Sequence, residues 1–295
     1  MTIYGVTGAT GGLGSHVIRV LLGKAVAPAR IVAIARDLAK AGEWGSVGLD
    51  VRLGDFDAPT TLESALDGVD ILLLVSTGHV PNRVMQHKAV IDAAVRAGVE
   101  RIVYTSVLQA DTSKMGLAAD HLATEQLLAG APLHWTILRN SWYLQLYAGD
   151  LPGTLDRGMT IGSAGDGRVS AAPREDYAEA AAAVMLERGH KDTIYELGGD
   201  ASFSYTDFAQ TLSRLSGTTV GYTNLTPEAH WDALVAAGLP EDDADVIVDS
   251  DQAIPRGELE TTSHDLSRLI QRPTMSVTEF LTDRLHPDGQ GRGRL

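Results

Sequence analysis

The chain of 295 residues contains no cysteine, so disulfide staples and thiolate chemistry are excluded. It lacks a basic excess. Twenty-four Lys and Arg stand against 38 Asp and Glu, a formal net charge of −14, and no basic stripe of the kind a nucleic-acid site needs is present. Acidic residues are scattered except for Glu241-Asp242-Asp243 and Asp245, the pattern of a solvated surface. Long apolar runs are missing too. The longest, such as Ile71 to Val75, are far too short to cross a bilayer, so no membrane insertion is expected. The N-terminus reads as a strand without a basic leader, and a cytoplasmic location is the default expectation. No metal site and no internal repeat are expected.

What is present begins at once. A short apolar strand, Thr2 to Val6, runs into Gly8-Ala9-Thr10-Gly11-Gly12-Leu13-Gly14 and then a helical pattern from Ser15 to Leu22. Gly8 turns the chain off the strand, Gly11 lets backbone amides approach a pyrophosphate, and Gly14 lets the helix pack close to the sheet. The helix N-terminus presents unpaired N–H groups to the phosphates. The spacing is G-x-x-G-x-x-G, the variant of the short-chain dehydrogenase type of Rossmann unit, and predicts dinucleotide binding.

Strand patterns recur at 31–35, 50–53, 71–75, 101–105 and 135–138, with helical patterns at 15–23, 37–43, 59–67, 83–97 and 117–129. Near-continuous apolar strands alternating with helices predict an α/β, Rossmann-type, doubly wound parallel sheet. Residues 1–150 form the nucleotide-binding domain of this reading. Residues 151–286 form a smaller C-terminal α/β cap, partly interleaved with the main sheet, with helices at 176–187, 206–215 and 227–237 and a strand at 193–197. The Gly- and Arg-rich tail 287–295 is expected to be disordered.

In such a sheet, ligands bind beyond the carboxyl ends of the strands. At the tip of strand two stands Arg36, where NAD enzymes carry an acid, and its fork suits the 2′-phosphate of NADP; the alternative is a surface arginine. Asp37 reads as a cap for the following helix. After strand three, Asp55 is placed either to accept from the adenine amino group or to serve a turn before Asp57–Pro59. Ser76-Thr77-Gly78 follow strand four and allow close backbone approach. After strand six come Asn140, a candidate for the nicotinamide end, and Ser141, Trp142 and Tyr143, which either wall a planar ring or pack in the core. Arg174 is a second cationic ligand or a surface charge.

One missing constellation matters for chemistry. Ketone-reducing short-chain dehydrogenases use a tyrosine with lysine four residues later, and none of the eight tyrosines here has it. The helix after strand five instead carries His121 and Glu125, an i, i+4 pair read as an acid–base couple or as a surface or structural pair. Ser106 stands without its usual partners. Catalytic groups therefore reduce to Asn140, Ser106 and His121 as candidates. A planar acceptor such as a quinone or a cationic triarylmethane dye needs no simultaneous proton donor and fits better.

Taken together, residues 6–14, 31–36, Gln86-His87, 104–106, 110–113, 121–125, 138–143, 162–167 and 195–200 resemble the NmrA-like atypical short-chain dehydrogenases. The resemblance extends from residue 2 to about 282 and is greatest to the bacterial NAD(P)H:quinone oxidoreductases of that group, with triphenylmethane reductases as relatives. It implies NADPH as donor, a small quinone or another planar acceptor as partner, and cofactor contacts from the glycine loop, Arg36, the loop 76–78 and the segment from Asn140. The chain is read as a monomer or homodimer. The family also contains NADP-binding redox sensors without turnover, which is the alternative. The stretch from His79 to Asn82 and Ser141 look less typical of it.

Overall fold

The computed structural model describes residues 1–78 and 82–286. The expectations for the tail 287–295 and for residues 79–81 lie outside the described residues. The chain divides into two compact units, and it passes between them more than once. The first holds Met1–Asp111, Ala118–Asn140 and Arg174–Tyr195; the second holds Thr112–Leu117, Ser141–Pro173 and the chain from Glu196 onward.

The first unit runs β1 (Tyr4–Val6), α1 (Gly14–Gly23), β2 (Ile31–Ala35), α2 (Gly42–Ser46), β3 (Asp50–Leu53), α3 (Leu62–Leu66), β4 (Ile71–Leu74), α4 (Arg83–Ala97), β5 (Arg101–Val107), α5 (Gly116–Ala129) and β6 (His134–Asn140). After α6 (Leu144–Tyr147), α7 (Leu151–Arg157) and β7 (Met159–Gly162), the chain returns as α8 (Arg174–Leu186) and β8 (Thr193–Leu197). The strands make a seven-stranded sheet in the order β3-β2-β1-β4-β5-β6-β8. β1 lies parallel to both β2 and β4, with Tyr4 opposite Ile31 and Ile71, so the strand order reverses at β1. That reversal is the switch point where doubly wound sheets bind ligands.

All residues of β2 and β5 are buried, as helices on both faces require. Alternation sorts their side chains. Val32, Ile34, Ile102 and Tyr104 join Leu62, Leu66, Val90, Ile91 and Leu128 in one core layer. The opposite face is covered by α1, through Val17, Ile18 and Leu21, and by α8, whose run of buried alanines packs against α1. Small side chains let two helices share that face at close range.

One helix departs from the sequence reading. Residues 37–41 are not helical; α2 begins at Gly42. The Asp37 carboxylate accepts from the Ala39 and Lys40 amides at 2.9 and 3.3 Å, which closes a turn, and the helix starts only after it.

The second unit continues through α9 (Tyr205–Ser216), β9 (Gly221–Asn224), α10 (Pro227–Ala236), α11 (Glu241–Ala253), α12 (Asp265–Ile270) and α13 (Val277–Leu285). β7 and β9 form a two-stranded parallel sheet. Ser204 with Asp207 and Ser276 with Glu279 form capping boxes that start α9 and α13. Inside this unit the buried Asp251 accepts from the Ser163 amide at 2.7 Å and from the Tyr205 hydroxyl at 2.9 Å. These bonds compensate its burial.

Candidate functional site

The glycine turn is built for close approach. Gly8 has φ +60°, a conformation that glycine adopts without strain, and its carbonyl accepts from the Gly11 amide at 2.8 Å. A Cβ on Gly14 would overlap the Gly8 carbonyl oxygen and stand 2.9 Å from that of Thr7. α1 has no side-chain cap at Leu13 and no acid in its first turn, so its N-terminal partial charge is left for an external anion. Arg174, at the start of α8, lies against this turn. Its Cδ and Nε sit 3.3 Å from where a Gly12 Cβ would be.

Beside the turn is a cavity of about 540 Å³. Gly8, Thr10 and Gly11 form one wall. Arg36 and Lys40 form another, with Asp37 between them and Gly54, Asp55, Phe56 and Asp57 beyond; Thr77, Gly78 and Gln86 close it. The volume suits the adenosine half of a dinucleotide. The Asp37 carboxylate, occupied by the Ala39 and Lys40 amides, leaves Arg36 and Lys40 as the cations of the wall. Asp55 accepts from the Asp57 amide at 3.1 Å, which is the turn reading, while still lining the cavity. Asp57 in turn accepts from Gln86 Nε2 at 2.8 Å.

The structure thus brings Gly8, Thr10, Gly11, Arg36, Asp55, Thr77 and Gly78 around one space, and adds Lys40, Phe56, Asp57 and Gln86, which sequence reasoning did not single out for it. Lys40 carried a signal: it lies four residues after Arg36, in a segment read only as helix. Ala9, Gly12, Leu13 and Gly14 belong to the turn but not to the cavity wall. Ser76 is held by Thr105, whose hydroxyl accepts from its amide at 2.9 Å. Asn140 is not in a loop: it ends β6 and is buried. Ser141, Trp142 and Tyr143 belong to the second unit, where the Ser141 hydroxyl donates to the Leu259 carbonyl at 2.8 Å.

The His121–Glu125 pair does not form, and neither residue is on the surface; both are buried. Each is taken by a different partner. Glu125 accepts from Arg139 Nε at 3.0 Å and Nη2 at 2.7 Å, and from the Ser106 hydroxyl at 2.5 Å. Arg139 also donates to Asp111 at 2.9 Å. Ser106 and Arg139 lie one residue past the strand patterns 101–105 and 135–138, yet they stand inside β5 and β6.

His121 belongs to a second buried group. The Thr77 amide donates to His87 Nε2 at 3.2 Å, which leaves the proton of this neutral ring on Nδ1, 3.0 Å from Thr124 Oγ1. Thr124 passes its own proton to the Asp120 carbonyl at 2.9 Å. The Tyr104 hydroxyl shares a hydrogen bond with His121 Nδ1 at 2.7 Å. Burial, then the nearby Arg83 charge, lowers the His87 pKa to about 3 and holds His121 well below its ordinary value. Both rings are neutral at physiological pH.

A glycine cradle at an uncapped helix, a cationic wall at the tip of β2 and a parallel sheet with its reversal between them define a dinucleotide-binding protein. The chain belongs to the NAD(P)H-binding family, whose model matches residues 8–188. Quinone oxidoreductase 2 of Escherichia coli is 45% identical over 277 residues, which are 94% of this chain and 96% of that protein. The crystal structure of the E. coli NADPH-dependent quinone oxidoreductase complexed with NADPH shares 44% identity at a TM-score of 0.93, over 96% of this chain and 100% of that one. A Citrobacter triphenylmethane reductase shares 36% identity at a TM-score of 0.91, over 96% and 99%.

Proposed function

We propose that the protein is an NADPH-dependent oxidoreductase that reduces quinones by two electrons, to the hydroquinone. The observation that carries this is the cation pair Arg36 and Lys40 on the cavity wall, in a chain 45% identical to a quinone oxidoreductase over nearly its full length. The glycine cradle fits a pyrophosphate, and the cationic wall fits a 2′-phosphate. When bound, NADPH supplies the hydride.

The chain's own residues bind and orient. Arg36 and Lys40 neutralise the 2′-phosphate. The amides of Thr10 and of Gly12 to Gly14, with Arg174 beside Gly12, hold the pyrophosphate. Asp55 and Gln86 face the adenine. Thr77 and Gly78 line the ribose side. Asn140, at the end of β6, serves the nicotinamide end. Ser106 is a structural tie, because its proton is committed to Glu125. His121, neutral and buried, is no general acid at pH 7. A hydroquinone anion takes its proton from water, so the missing Tyr–Lys pair is no obstacle. We place this work in the cytoplasm.

A second reading, a cationic triarylmethane dye as acceptor, is favoured by the 36% identity to triphenylmethane reductase. The decisive experiment is loss of the reduced-nicotinamide absorbance of NADPH with benzoquinone and with a triarylmethane dye, with NADH in parallel. Rapid, NADPH-preferring turnover of quinone supports the proposal. Dinucleotide binding without turnover of any acceptor makes the protein a sensor and overturns it.

A further inference from the structure

The glycine turn and α2 are separate in sequence, yet one buried hydrogen bond joins them. Trp44, in α2, donates its indole N–H to the carbonyl of Ala9 at 2.9 Å. Trp44 is 5% exposed, and the Arg19 guanidinium lies over its ring at 5.4 Å. On its other side the Ala9 amide donates to the Ile34 carbonyl at 3.2 Å.

Peptide planarity gives this bond a consequence. The peptide between Ala9 and Thr10 is trans, as are all those among the described residues, so the carbonyl of Ala9 and the amide of Thr10 point in opposite directions across one rigid plane. Holding the Ala9 oxygen inward, toward the buried indole, aims the Thr10 N–H outward. Thr10 is exposed on the cavity wall. The Ala9 amide is taken by the Ile34 carbonyl of β2 and the Gly11 amide by the Gly8 carbonyl, but the Thr10 amide by neither. The segment that bears the cations is closed by backbone turns of its own, which do not use the indole N–H. Trp44 follows the Arg36–Lys40 segment through successive turns, Ala41 N–H to Asp37 O and Trp44 N–H to Ala41 O.

We infer that the Trp44 indole N–H is a positioning group of the dinucleotide site, fixing the Ala9–Thr10 peptide so that the Thr10 amide faces the pyrophosphate. The inference rests on the proposed binding of NADPH at the glycine turn. The pyrophosphate is common to both dinucleotides, so loss of this bond weakens NADPH and NADH by the same factor. Arg36, by contrast, acts on the 2′-phosphate alone.

The test is Trp44→Phe, which keeps an aromatic ring and removes the donor. Dissociation constants for NADPH and NADH are measured by fluorescence titration, and KM and kcat by turnover. Both dissociation constants should rise by about tenfold, the weight of one well-placed hydrogen bond. The NADPH/NADH ratio should stay constant, and kcat should stay within about twofold. Should Trp44→Phe fold poorly, replacement of Trp44 alone by its benzothienyl isostere, in which sulfur replaces N–H, gives the same readout with the ring size kept. Wild-type affinity for both dinucleotides in the isostere overturns the inference, as does a fall in kcat at unchanged affinity. If the wild type binds neither dinucleotide, the reading of the glycine turn falls, and this inference falls with it.

Discussion

Ser106 gives its hydroxyl proton to Glu125 across 2.5 Å, and the same carboxylate is clasped by two nitrogens of Arg139. The serine at the end of β5 is therefore part of a buried ion-pair network. Ser106→Ala should cost about 1–2 kcal/mol of stability and leave quinone turnover within about twofold. Denaturant unfolding and steady-state kinetics check both. A loss of turnover of a hundredfold or more, the scale of a lost catalytic group, would return Ser106 to the reaction. Glu125→Ala leaves Arg139 buried without its main partner and should destabilise by about 3–5 kcal/mol.

Arg36 and Lys40 stand on one wall of the cavity. Charge-assisted hydrogen bonds of this kind contribute about 1.5–3 kcal/mol each. Arg36→Ala should raise KM for NADPH by about ten- to a hundredfold while changing that for NADH by less than about threefold. Lys40→Ala should act in the same sense and more weakly. Equal losses for both dinucleotides would remove the 2′-phosphate assignment.

His87 is neutral when folded, with a pKa near 3, and His121 is held well below its ordinary value. In the unfolded chain each has a pKa of about 6.5. As pH falls below that, the unfolded state takes up protons that the folded state refuses. Stability should therefore be full above about pH 7 and fall below it, by up to about 1.4 kcal/mol per pH unit for each ring, down toward the folded value. Urea unfolding at a series of pH values measures the slope. His87→Leu lowers the whole curve but should flatten it by one proton. An unchanged slope would mean that His87 is not the group responsible.

A Cβ on Gly14 meets only backbone, the carbonyls of Gly8 and Thr7, and backbone cannot step aside as a side chain can. Gly14→Ala should cost more than about 3 kcal/mol, by overpacking, and weaken NADPH binding with it. Gly42 begins α2 with nothing within 4 Å of its added Cβ. Gly42→Ala should leave binding intact and stabilise by about 0.4–1 kcal/mol through the unfolded state. Thermal unfolding of the two variants side by side checks the contrast.

The nucleotide-binding half was legible because its signals are local. Ile31–Ala35, Asp50–Leu53 and Arg83–Ala97 match their predicted bounds, since apolar runs and helical periodicity are properties of short stretches. The glycine turn was legible for the same reason. Helix α13 has a local start signal too, Ser276 with Glu279 three residues on. β7 and β9 had no such signal: each is four residues long, and their pairing joins Met159 to Gly221.

By itself the sequence determined the strand–turn–helix opening, the order of the parallel strands' elements and the arginine at the tip of β2. Each depends on neighbours within a few residues. Tertiary structure alone decided how the polar side chains are used. His121 and Glu125 share a helix face, but Tyr104 and Arg139, from different strands, draw them to separate partners. Trp44 reaches Ala9 across 35 positions of sequence. A buried donor or acceptor takes whichever partner the packed fold brings within 3 Å or so, and sequence spacing carries no record of that choice.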